Sequence, residues 1–113
     1  MALALNVFKT VTKIATTNTV GIYTAPVGYS GVVLLAQVAN IGNNTQTVSF
    51  SHQRTTSGIA VTTEIIKDFP VPSNDSANLL QGKLILESND VILLSASTNT
   101  DIKFIGSILE TLN

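Results

Sequence analysis

The sequence predicts an all-β chain: a single antiparallel β-sandwich of about eight strands, jelly-roll-like. Three observations carry that prediction. Apolar and polar residues alternate with period two in several segments, which is the spacing of a strand with one buried face. Turn-forming residues interrupt those segments at short, regular intervals, as they do in sandwiches and barrels. β-branched residues are abundant, and their stiff side chains suit a pleated surface better than a helix. The 113 residues make one domain, spanning 1–113. Eight strands in one small domain is the count of a jelly roll.

The segments follow in order. Residues 5–15 form the first strand, with Leu3, Leu5 and Val7 alternating ahead of Phe8. Residues 1–8 read either as the start of that strand or as an arm that pairs with a neighbouring subunit's sheet edge. Residues 19–24 and 30–40 flank the Pro26 to Gly28 turn, where proline pre-sets φ and glycine admits a positive one. Residues 46–53 alternate, with Val48, Phe50 and His52 on one face and Thr47, Ser49 and Ser51 on the other. Residues 59–69 follow the Thr56-Ser57-Gly58 turn, and Pro70 to Asp75 closes that segment. Ser76 to Leu80 reads as the only helical turn. Residues 83–87 and 90–97 are separated by Ser88-Asn89-Asp90 and read as a hairpin. Val91 to Leu94 is uniformly apolar, as in a strand covered on both faces. In residues 101–110, Ile102, Phe104, Gly106 and Ile108 share a face opposite Asp101, Lys103 and Ser107.

Composition limits function. Charged residues are 12% of the chain, about half the usual share. The 15 Thr, 10 Ser, 10 Asn and 4 Gln must therefore supply most of the polar surface. A near-neutral surface favours association. The net charge of -1 provides no basic field for a phosphate backbone, so no nucleic-acid partner is expected. Cysteine is absent, which excludes disulfides, zinc thiolates and thiol catalysis. The longest apolar run, Val32 to Ala36, is far short of the ~20 residues of a membrane helix, and no membrane partner is expected. Met1 to Val7 has no basic stretch of the kind that begins a signal peptide.

No catalytic constellation can be assembled. His52 is the only imidazole, and its place beside Val48 and Phe50 fits a hydrogen-bonded structural residue. The carboxylates of Glu64, Asp68, Asp75, Glu87, Asp90, Asp101 and Glu110 form no compact pair on one face. Asp90 fits a turn cap. Acidic density at Glu87 and Asp90, or at Asp75, is low for the 6–8 oxygens that calcium takes. Tyr23 and Tyr29 bracket the Pro26 turn and fit packing at the sandwich end. No enzyme, no cofactor and no metal site is expected.

Ile22-Tyr23-Thr24-Ala25-Pro26-Val27-Gly28-Tyr29, with Gln37-Val38-Ala39-Asn40 after it, resembles a group of small accessory structural proteins of tailed bacteriophage virions. Gly82 to Leu86, Asn89 to Leu93 and Ser107 to Glu110 resemble their C-terminal part. The resemblance implies a non-enzymatic β-sandwich attached in multiple copies to the particle, as capsid decoration or as a neck or tail component. It implies other virion proteins as partners, homo-oligomers, and location in the virion after synthesis in a bacterial cytoplasm. Leu3, Leu5, Val7 and Phe8 are the expected interface residues. The alternative from composition is a carbohydrate-binding or receptor-binding sandwich module, since exposed amides and hydroxyls suit sugar recognition.

Overall fold

The structure, a computed structural model, describes residues 6–112. Nine strands follow one another: β1 (Asn6–Ile14), β2 (Val20–Thr24), β3 (Tyr29–Asn40), β4 (Gln46–Thr56), β5 (Ile59–Val71), β6 (Ser76–Asn78), β7 (Leu84–Leu86), β8 (Val91–Ala96) and β9 (Ile102–Leu112). All pairings are antiparallel. One sheet runs β1-β9-β3, with β6 and β7 both on the far edge of β3; the other runs β2-β8-β4-β5. The partners are nested: β1 with β9, β2 with β8, β3 with β6 and β7, β4 with β5. A long hairpin rolled up, so that β9 also meets β3 and β8 also meets β4, is the double-sheet jelly roll. β6 and β7 together fill the place of one strand.

The core lies between the sheets. Phe50 of β4 stacks on Phe104 of β9 across the sandwich, ring centroids 5.8 Å apart. Val33, Val38, Val48, Leu79, Leu86, Ile92, Leu94, Ile102 and Ile108 are buried around them. A buried side chain of this size contributes roughly 1.5–3 kcal/mol. Gly106 makes room for Phe104: a Cβ at 106 would sit 2.9 Å from the ring. In β5, two β-bulges opposite Ser49 and beside Ser51 interrupt the register. A bulge re-aims side chains, and it lets the consecutive Ile65 and Ile66 both pack against the core.

Three sequence expectations need correction. The Ser76–Leu80 segment is not a helical turn, because Ala77 pairs with Val38 and Leu79 donates its N–H to Ala36 O. A helix would turn one of those two apolar side chains away from the core. β7 and β8 are not a hairpin: their turn crosses from one sheet to the other, and β7 pairs with β3. β8 is covered on one face only, with Ile92 and Leu94 buried and Val91 and Leu93 half-exposed on the outside.

Both ends of the described chain lie at one end of the sandwich, with the β2–β3, β4–β5 and β7–β8 turns. This end, called the termini end below, carries the five most exposed large apolar side chains among the described residues: Phe8, Val27, Ile59, Val61 and Ile85.

Candidate functional site

Three buried polar groups hold the chemistry of the molecule. Asp90 is buried in the β7–β8 turn. Its carboxylate accepts from Arg54 Nε at 3.0 Å, Arg54 Nη2 at 2.6 Å and the Glu87 N–H at 2.9 Å, and meets His52 Nε2 at 3.0 Å. The Arg54 hydrogen bonds hold the Asp90 carboxyl well below the usual carboxylate range; His52 and the Glu87 N–H pull the same way, against desolvation. Arg54 is raised in turn, chiefly by its bond to Asp90, and also reaches Glu87 Oε2 at 3.1 Å. Every donor converges on one carboxylate, which leaves no oxygen for base or nucleophile work. The guanidinium of Arg54 bridges Glu87 and Asp90.

Glu110 is the second group. Gly31 lies opposite it on β3, and the missing side chain lets the Tyr23 ring cross over. Tyr23 Oη donates to Glu110 Oε2, and Lys9 Nζ lies 3.3 Å from Oε1. Burial first, then the hydrogen bond and charge of Glu110, push the phenol of Tyr23 above its ordinary value. Asn40 is the third. Its Nδ2 donates to Asn44 O at 2.8 Å and Val71 O at 2.9 Å, and its Oδ1 accepts from the Gly42 N–H at 2.9 Å. Each cluster ties one loop to a strand. Among the described residues no group of three or more His, Cys, Asp or Glu is placed to hold a metal.

The outward faces of the sheets differ. On the β2-β8-β4-β5 sheet, Ser49, Ser51, Gln53, Thr62 and Ser95 border a shallow depression of about 550 Å³ with Glu64, Lys67 and Asp68. On the β1-β9-β3 sheet the outward positions are largely apolar. Phe8 lies opposite Leu109, Leu109 opposite Val32, and Val32 opposite Ile85. Residues directly opposite share a face, so these four form one row across four strands. Phe8 and Ile85 are 75% and 63% exposed. Leu34 and Leu35, both exposed at a bulge in β3, come next. Further along, Thr12 lies opposite Ile105 and Ile105 opposite Gln37, and Ile14 lies opposite Lys103 and Lys103 opposite Ala39; these two rows, with Lys13, line a groove of about 730 Å³. Lys103 is the one charged residue at the outward strand positions of this face among the described residues.

Of the expected interface residues, Leu3 and Leu5 lie outside the described residues. The structure separates the other two. Phe8 faces out, while Val7 is half-buried on the inner side opposite Glu110. Sequence reading missed Leu109, Val32, Ile85, Ile105 and Ile14. Their signal was apolar residues in both phases of the alternation, as with Ile105 and Leu109 in the same phase as Lys103 and Ser107.

The sequence matches no protein-family model and no curated protein. Solved structures share the fold. The chain is similar to a chain of the viral particle of infectious bursal disease virus, with a TM-score of 0.60 and 8% identity, covering 97% of this chain and 32% of that one. It is similar to the VP2 protein of the same virus in derived particles, with a TM-score of 0.54 and 10% identity, over 96% of this chain and 32% of that one. It is also similar to a chain of the acid-stable capsid of Helicobacter pylori bacteriophage KHP30, with a TM-score of 0.56 and 13% identity, over 96% of this chain and 89% of that one. The chain thus spans about a third of the length of the infectious bursal disease virus chains.

Proposed function

We propose that this chain is a non-enzymatic structural component of a virus particle: an accessory protein attached in multiple copies to a tailed-phage virion, as capsid decoration or as a neck or tail component. The observation that carries the reading is the pairing of a full jelly roll with an uncovered apolar sheet face. A face of that kind is a site for burial against protein. The buried ionisable groups support it too, because Asp90 and Glu110 are engaged in fastening loops rather than held open in a cleft. The likeness to a phage capsid chain covered over most of its length supports a jelly roll of this size as a particle subunit. The Tyr23-to-Tyr29 motif supports the phage assignment. In this reading the partners are other virion proteins and further copies of the chain, and Phe8 joins the contact at the termini end.

Rebinding tests the proposal. Particles stripped of the protein should take up purified chain saturably, and a labelled chain should decorate repeated positions in micrographs. Absence of the chain from particles, together with failure to rebind, would overturn it.

A second reading, a carbohydrate-binding module, draws on the depression bordered by Ser49, Ser51, Gln53, Thr62 and Ser95. No aromatic platform lines it. A glycan array with a saturable binder lost on Gln53→Ala would favour this reading over the first.

A further inference from the structure

We infer that the outward face of the β1-β9-β3 sheet pairs with the same face of a second copy, in an antiparallel two-fold arrangement that sets Phe8 of each copy over Lys103 of the other. The inference rests on this chain's own surface and stands whether or not the chain belongs to a particle.

Four features of the face support this occupant. The first is extent. β1 at nine residues, on a sheet four strands wide, presents roughly 600 Å² of face, taking strand spacing and rise together. Two copies bury about 1,200 Å², the lower bound of a stable specific interface. The second is composition. Phe8, Leu109, Val32, Ile85, Leu35 and Ile105 dominate, and the central positions carry no acid, as at the charge-depleted core of an interface.

The third is shape. The Phe8–Leu109–Val32–Ile85 row lies at the termini end, with Phe8 and Ile85 the most exposed large apolar residues of the face. The groove between Ile14, Ile105, Ala39 and Lys103 lies at the other end. A two-fold axis between these ends, near Thr10 and Thr12, carries the row of each copy into the groove of the other. An isologous contact must be self-complementary in this way.

The fourth is charge, and it fixes the orientation. Stacking like row on like row would bring the two Lys103 ammonium groups together. The antiparallel arrangement instead sets each ammonium against the ring of Phe8, an attractive cation–π contact. The hydroxyl-rich face of the other sheet then points to solvent in both copies.

The absence of cysteine makes the test clean. Within one chain Phe8 is opposite Leu109, six residues along β9 from Lys103, so positions 8 and 103 are about 20 Å apart. That is far beyond the ~3.5–4.5 Å between the Cβ atoms of a disulfide. The full chain carrying both Phe8→Cys and Lys103→Cys should, under mild oxidation, form a covalent dimer on a non-reducing gel. Phe8→Cys alone should stay monomeric on the same gel. Light scattering on the unmodified chain should give twice the 11.9 kDa monomer mass. Phe8→Lys should raise the dimer dissociation constant at least about tenfold, and adding Lys103→Glu to it should restore pairing. Val27→Lys, equally exposed but away from this face, should change nothing. A strictly monomeric chain, cross-linking as fast by Phe8→Cys alone, or a Phe8→Lys variant that still dimerises would each overturn the arrangement.

Discussion

Asp90 shows how much of this molecule's order rests on one side chain. Four N–H groups surround a carboxylate that is almost wholly buried. Asp90→Asn keeps the shape but turns an NH₂ toward donors, and should cost about 2–3 kcal/mol in urea denaturation. The pH dependence has a definite sign. The folded carboxyl titrates below its unfolded value of about 3.9, so the stability it contributes is complete above about pH 5 and is lost as pH falls through the acid range. Asp90→Asn should therefore give a flatter stability curve below about pH 4; an acid slope equal to that of the parent would refute this assignment. Asn40 gives a second test. It donates to two carbonyl oxygens, so Asn40→Ala should cost about 2 kcal/mol. Asn40→Asp should cost more, because it sets oxygen against oxygen. Neither network was visible in the sequence. His52 was legible as a structural residue, and it does meet Asp90, but its partner lies 38 residues away and only the roll of the chain brings the two together. The turn-capping role of Asp90 was local, and the Glu87 N–H confirms it.

Local rules account for the strands and fail where the chain changes sheet. The β4–β5 hairpin turns on Ser57 and Gly58, with φ of 53° and 80°. Two successive positive φ values mark the turn whose twist matches the flanking strands, and asparagine is favoured at its first position. Ser57→Asn should raise stability by roughly 0.5 kcal/mol, and Gly58→Ala should lower it by about 1 kcal/mol, both read from thermal melts; equal melting temperatures would contradict the turn geometry. Most strands were legible because alternation and turn residues are short-range properties: the expected 30–40 and 46–53 correspond to β3 and β4. β6 was hidden because three residues are too few to display a period, and its identity comes from the place β3 offers it. The bulges of β5 were hidden for a different reason. Ile65 and Ile66 break the alternation, and which of the two is the extra residue depends on the register with β4. The β7–β8 turn has a hairpin's composition, yet pairing partners from elsewhere in the chain override it.

The whole molecule is two-sided. One sheet carries mainly hydroxyls and amides outward, with Val91 and Leu93 half-exposed among them, and the other a band of exposed apolar side chains, so the two faces offer different surfaces to a partner. The low charge of the chain predicts association, but the face proposed for it emerges only when β1, β9, β3 and β7 lie side by side. Fold by itself gives no function; here the functional reading comes from the exposed face and from the fully engaged buried polar groups. Loss of that face should impair assembly without unfolding the subunit. Ile85→Lys, at a site already 63% exposed, should leave the melting temperature within about 2 °C, since exposed changes of this kind lie within ±0.5 kcal/mol. The same variant should not rebind stripped particles. The most direct measurement of the central claim is the copy number of this chain in purified particles, by quantitative mass spectrometry against the major shell protein. A structural subunit predicts a fixed, multiple-copy ratio that survives repeated purification; a chain that is absent, or whose amount varies from one preparation to the next, would contradict it.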